Sequence, residues 1–196
     1  MKPSLLDLFA GAGGSARGYQ LAGFHVTGVD IRPQPRYAGD VFIQADAMTF
    51  PLDGYDAIHA SPPCQLYANV TAWRGQPDDH PNLLPPTLAR LAELDVPWVV
   101  ENVPEAPIRP DILLCGSQFG LKVRRHRAFQ CSPQLYSLLP PCRHRGLLPF
   151  MHKGERAYAD ALGCDWMTNR EARQAIPPVF TTFIGEQLLS HLAVST

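Results

Sequence analysis

The feature that most constrains the fold is an alternation through the first hundred residues. Short apolar runs of strand length are separated by turns and by helical stretches. "SLLDLFA" (4–10) reads as a buried strand and "GSARGYQLAG" (14–23) as a helix closed by glycine. "HVTGVDI" (25–31), "VFIQAD" (41–46) and "YDAIHAS" (55–61) read as three further strands. "LLPPTLARLAEL" (83–94) is a helix that ends before Pro97, and "PWVVENV" (97–103) is a fifth strand. Strands joined through crossovers run parallel, and a parallel sheet needs cover on both faces. The pattern therefore predicts an α/β fold, a Rossmann-like, mostly parallel doubly wound sheet.

Beyond Val103 the pattern weakens. "ILLCGSQFGL" (112–121) and "HRAFQC" (126–131) read as strands, and "NREARQAIPPVFTTFIGEQLLSHLA" (169–193) as a helix broken at Pro177-Pro178. No clean linker appears in the 196 residues, so one domain is expected, with an irregular insertion at about 130–165. A hydrophobic content of 45% supports a full core. No apolar run approaches the roughly 18–20 residues of a membrane span. The run at the N-terminus is interrupted by Asp7 and makes a poor signal peptide. Five cysteines, an odd number without a CxxC, fit a reduced, cytoplasmic protein with no membrane partner.

"DLFAGAGG" ends the first strand and opens the first helix. Gly11, Gly13 and Gly14 allow a ligand close to the backbone there. A tight strand–helix turn alone would also want glycine. Two acids sharpen the reading. Asp30 ends the second strand, 19 residues after Gly11, where a carboxylate can accept from ribose hydroxyls. Asp46 ends the third strand and could accept from an adenine amine. The loop fits neither the dinucleotide GxGxxG nor a P-loop. A nucleoside without a pyrophosphate fits better, and S-adenosyl-L-methionine is such a ligand.

In a doubly wound sheet, ligands bind beyond the carboxyl ends of the strands. "SPPC" (61–64) follows the fourth strand and Glu101-Asn102 closes the fifth. The topology thus brings a cofactor loop, the Cys64 thiol and the Glu101 carboxylate to one edge. Pro62 and Pro63 fix two φ angles before the thiol. Taken singly, Cys64 could be a buried small residue and Glu101 an exposed carboxylate. Together they suit one reaction. Cytosine C5 is too weak a nucleophile to take a methyl group directly. A thiolate adding to C6 makes the ring an enamine, and a carboxyl group at N3 eases the addition.

At this point the residues resemble those of the cytosine-C5 methyltransferase family. "DLFAGAGG" is similar to its cofactor motif, "SPPCQ" to its nucleophile motif and "ENV" to the motif of the N3-contacting glutamate. "RRHRAF" resembles its arginine motif and "RQAIPPVFTTFIGEQL" its closing helix. The five stand in the family's order and span residues 5–189. The resemblance implies Cys64 as nucleophile, Glu101 as N3 partner, and Arg125 and Arg127 near the target base. For the cofactor it implies Phe9, Ala10, Gly11, Gly13, Asp30 and Asp46, with Pro63 nearby. Val123 stands where the arginine motif usually begins with glutamine, and Gln174 where the closing motif usually has asparagine.

The implied activity is transfer of a methyl group to cytosine C5 in DNA, with base flipping. RNA or a free cytosine nucleotide as substrate, or a non-catalytic nucleic-acid-binding relative, are the alternatives. Sequence-specific members carry a long target-recognition region, whereas residues 130–165 supply only 36 positions here. That is too short for a recognition core of its own. Low or short specificity is expected, or reliance on a protein partner or second subunit. Residues 122–156 hold eight basic side chains against one acid, within a chain of net charge −1. Arg143 and Arg145 are the expected phosphate contacts, since phosphate contacts position while base contacts specify. Trp73 and Arg74, after Cys64, are placed to cover a flipped base or simply to pack. Cys131, Cys142 and His144 lie in the insertion, with Cys115 and His126 not far off. Their C-x10-C-x-H spacing matches no finger pattern, so buried cysteines and no metal are expected.

Overall fold

A computed structural model describes residues 1–68, 80–147 and 156–194. Among these residues the order is β1 (Ser4–Leu8), α1 (Gly14–Ala22), β2 (His25–Asp30), β3 (Val41–Gln44), β4 (Ala57–Ala60), α2 (Leu84–Ala92) and β5 (Trp98–Asn102). There follow β6 (Ile112–Cys115), a 3-10 turn (Gly116–Phe119), β7 (His126–Ser132), α3 (Ala157–Leu162), α4 (Asn169–Ala172) and α5 (Pro178–Val194). The seven strands form one sheet in the order β3-β2-β1-β4-β5-β7-β6. Strands β1 to β5 pair in parallel. β7 runs antiparallel between β5 and β6.

Alternate strand residues point to opposite faces, and both faces are covered. Leu5, Val26, Ala57 and Val99 pack with Phe24, Phe180, Ile184 and Leu188 beneath α1 and α5. Their neighbours Leu6, Leu8, Val29, Ile58, Ala60 and Val100 pack with Leu84 and Leu91 of α2. This is why the central strands are apolar on both faces. Helices α1 and α5 approach closely because Gly18 has no side chain. A Cβ there would strike Thr181 and the Pro178 carbonyl. Thr181 Oγ1 donates to Ser15 O (2.9 Å) and Thr182 Oγ1 to Gly18 O (3.1 Å), which fixes the pair.

The insertion is less irregular than its composition suggests. Its second half carries α3, which ends at Gly163 in the left-handed region (φ 73°). Tyr158, Ala159 and Leu162 pack with Met167 and Ala172, and also with Ala12 of the glycine loop and Val123. A six-residue helix is too short for its apolar period to stand out in sequence. The basic segment is also divided. Arg125 and Arg127 are buried, because β7 and its approach enter the sheet there, while Arg124, Arg143 and Arg145 stay exposed. Trp73, Arg74 and Lys153 lie outside the described residues. No described helix is long and apolar enough to cross a membrane.

Candidate functional site

The glycine loop leaves β1 through a strained turn. Phe9 has φ 60°, a conformation that L side chains seldom adopt, and Gly11 and Gly13 follow at φ 50° and 81°. Ala10 is buried and donates its N–H to Val29 O (3.0 Å). Asp30 holds the turn: Oδ2 accepts from Gly11 N and Oδ1 from Arg32 N, both at 2.9 Å. The sequence reading missed this structural task. It uses one acceptor site on each oxygen and leaves lone pairs for a ligand. Asp46 is exposed, and its Oδ1 accepts from Met48 N (2.9 Å) in a local turn.

The three loop glycines face different surroundings. A Cβ on Gly11 would meet nothing within 4 Å, so the space before it is open. One on Gly13 would meet Ala38 N at 2.7 Å, and one on Gly14 would strike the Ile176 carbonyl. The chain's own residues therefore cover the N-terminus of α1, where a pyrophosphate would sit in a dinucleotide fold.

Asp7 lies buried beneath this loop, beside Gly28 of β2 and His59 of β4 in the sheet register. Its Oδ2 accepts from Ser15 Oγ (2.6 Å), while buried Oδ1 has no partner. Burial outweighs the Ser15 bond and pushes its pKa up to about 7. An acid with a raised folded-state pKa stabilises the fold below its unfolded pKa. That contribution is lost as pH rises through the folded value. Stability should thus fall by a few kcal/mol between about pH 4 and pH 7, each tenfold drop in proton concentration costing on the order of 1.4 kcal/mol. Asp7→Asn should flatten this slope, and urea titrations at several pH values measure it.

The second half of the site stands at the ends of β4, β5 and β7. Asn102, fully buried, donates from Nδ2 to Pro62 O (3.1 Å) and so ties the proline turn to β5. Cys64 is half-buried at the end of that turn. Glu101 faces Phe129 in the antiparallel register, so Arg127, two residues from Phe129, shares its face. Arg127 Nε lies 2.5 Å from Glu101 Oε1, yet the angle leaves that oxygen without an aligned hydrogen bond. Arg127 Nη1 donates to His126 O (2.8 Å). Arg125 Nη2 donates to Arg173 O (2.9 Å) and Ala175 O (2.8 Å), clamping the segment before α5.

These groups form one electrostatic unit. Burial raises the Glu101 pKa above the usual carboxylate range, against the pull of Arg127, Arg125 and a Ser61 hydrogen bond. Burial also raises Cys64, with Arg127 and Arg125 opposing and Glu101 reinforcing the shift. Behind Ser61 lies a buried chain that the sequence reading missed. His59 is hydrogen-bonded at both ring nitrogens, Nδ1 to Tyr19 OH (2.9 Å) and Nε2 to Ser61 Oγ (2.8 Å). Burial lowers its pKa to about 3, so it stays neutral and acts as a fixed hydrogen-bonding strut. A histidine inside an apolar strand was the only signal of it in the sequence. Arg143 and Arg145 lie on the exposed loop after β7, apart from this unit; Arg143 is held there through its backbone N–H, which donates to Ser117 Oγ.

No protein-family model and no curated protein sequence matches the chain. Solved structures do. The S. pombe Dnmt2 methyltransferase superposes with a TM-score of 0.62 at 13% identity, over 98% of this chain and 99% of that one. The Entamoeba histolytica methyltransferase EhMeth gives 0.62 at 11% identity, with the same coverage. A protein described as a DNA modification methyltransferase of an E. coli prophage gives 0.52 at 21% identity, over 82% of this chain. The chain spans 54% of that protein's length. At these identities the likeness is one of fold: a Rossmann-like methyltransferase fold with a mostly parallel sheet.

Proposed function

We propose that this chain is a methyltransferase that uses S-adenosyl-L-methionine to methylate C5 of cytosine, with DNA as the substrate. One observation carries the reading. Cys64 on its proline turn, and the Glu101–Arg127 pair, share a sheet edge with an open glycine loop and its Asp30 brace. The cofactor fits the residues present, because the loop is open at Gly11 and closed to a pyrophosphate at Gly13 and Gly14. Phe9, Ala10, Gly11, Asp30 and Asp46 would hold it, with Pro63 at the border; Gly13 keeps the loop in shape. When bound, it supplies an electrophilic methyl group.

The protein's own groups do the rest. The Cys64 thiolate adds to C6, and a proton from Glu101 goes to N3, which leaves C5 nucleophilic. Arg127 and Arg125 favour the thiolate. Protonating Glu101 also removes a charge that opposes the thiolate. The two steps therefore assist each other. After C5 gains its methyl group, loss of the C5 proton to a base, departure of Cys64 as thiolate and return of the N3 proton to Glu101 restore the aromatic ring. A cytosine within a duplex must leave the stack to reach such a recessed thiol.

Incubation with labelled S-adenosyl-L-methionine and separate DNA, RNA and cytosine nucleotides tests the substrate. Label should enter DNA at C5 of cytosine. Label confined to RNA or to nucleotides would assign the same chemistry to another substrate. Arg143 and Arg145, both exposed, are the proposed phosphate contacts. Replacing both with alanine should flatten the slope of log K against log salt by about two on duplex DNA. With little chain left for base readout, modified cytosines should fall in short contexts, which bisulfite sequencing reads directly.

A further inference from the structure

We propose that Cys115, His126, Cys142 and His144 form a structural zinc site that staples the basic loop to the edge of the sheet. One ligand atom from each of the four lies within 4.8 Å of all the others. Cys115 Sγ is 3.4 Å from His144 Nε2, and Cys142 Sγ is 3.7 Å from His126 Nε2. In a tetrahedron with Zn–S of about 2.3 Å and Zn–N of about 2.05 Å, the sulfur–nitrogen edge is about 3.6 Å. The observed separations bracket that value.

The backbone explains how four residues spread over 30 positions meet. Cys115 and His126 are directly opposed in the β6–β7 ladder, so the hairpin presents one sulfur and one imidazole side by side. Cys142 and His144 come from the loop after β7. Second contacts hold that loop in place. Gln118 Nε2 donates to Pro140 O (2.9 Å), and Arg143 N donates to Ser117 Oγ (3.0 Å). Ser117 Oγ in turn lies 3.3 Å from Cys115 Sγ. Sequence spacing grouped Cys131 with these residues and pointed to no metal. Cys131 instead lies in the apolar core between the sheet and α5.

The donor set selects the ion. Two thiolates and two imidazoles at tetrahedral spacing suit zinc rather than calcium or magnesium, which take oxygen ligands. Binding releases the two thiol protons, and two thiolates then balance the divalent charge. With all four positions filled by protein, the site is structural and leaves no place for a reactive water. Its position gives it a task. Residues 140–147 contain no helix or strand, yet Arg143 and Arg145 flank His144 there. His126 precedes Arg127, whose guanidinium bonds its carbonyl. The ion would thus fix both the exposed arginines and the root of the arginine that pairs with Glu101.

Metal analysis of the full chain, purified without a histidine tag under reducing conditions, tests the proposal. It should hold one zinc per chain. Cobalt in its place should give the strong visible bands of a tetrahedral ion and a thiolate-to-cobalt charge-transfer band. Cys142→Ser and His144→Ala alter only the loop, and each should reduce bound zinc to near none while the thermal transition stays cooperative. Cys131→Ala should retain the ion. Chelation should expose Arg143 and Arg145 to trypsin, and added zinc should restore protection. Protein that neither carries zinc nor takes up zinc or cobalt on reconstitution would overturn the site. So would retention of a full equivalent by Cys142→Ser, or a Cys115–Cys142 disulfide in the reduced preparation.

Discussion

Cys64→Ser should abolish methyl transfer, by on the order of 10⁴-fold or more, as expected when a nucleophile is lost. A serine hydroxyl is far harder to ionise than a thiol. The two arginines that favour the Cys64 thiolate could not offset that difference. Cofactor binding should survive, because the Asp30–Gly11 brace is untouched. The same idea predicts a trap. DNA carrying 5-fluorocytosine should form a stable adduct on Cys64, since fluorine at C5 cannot leave as a proton. Peptide mapping that finds the adduct on another cysteine, or turnover of the serine variant near the wild-type rate, would remove Cys64 from the mechanism.

Glu101→Gln should slow the reaction by about 10²–10⁴-fold, the usual contribution of a general acid or base. The amide keeps the shape and leaves an oxygen beside Arg127 Nε, so the thermal transition should move little. Its pH profile separates a chemical role from a structural one. In the proposed reaction the active pair holds one proton, shared between Cys64 and Glu101. Below the Glu101 pKa both groups are protonated and the rate falls; above the Cys64 pKa neither is, and it falls again. Burial raises both groups, so both limbs should lie above the ordinary carboxylate and thiol ranges. In the glutamine variant Cys64 alone of the pair titrates, so the alkaline limb should vanish and the rate should rise with pH through the Cys64 pKa to a plateau. A retained alkaline limb would mean that another group protonates N3.

Much of the candidate site was legible because its signals are local. Glycines at a strand–helix junction, prolines before a thiol and a carboxylate closing an apolar strand each concern a few neighbouring residues. Strand topology alone carries all three to one edge of the sheet. The parallel order of β1 to β5 follows from the same alternation. The sequence by itself determined that far, because crossover connections and two-sided burial leave few other ways to pack such a pattern.

Only the tertiary structure decided the rest, and the reason is register and burial between segments far apart in the chain. β7 turns antiparallel between β5 and β6, which sets Arg127 against Glu101. The same turn buries Arg125 and Arg127 but leaves Arg124 exposed, dividing what reads as a single basic run. Asp7 reads as a break in an apolar strand; in the sheet it is a buried carboxyl with its pKa pushed up to about 7. Cys115 and His126 become neighbours only through the β6–β7 ladder, and Cys142 and His144 reach them only as the loop folds back. Spacing along the chain cannot report such meetings. They depend on which residues the ladder opposes and on which side chains the closing of the core forces together.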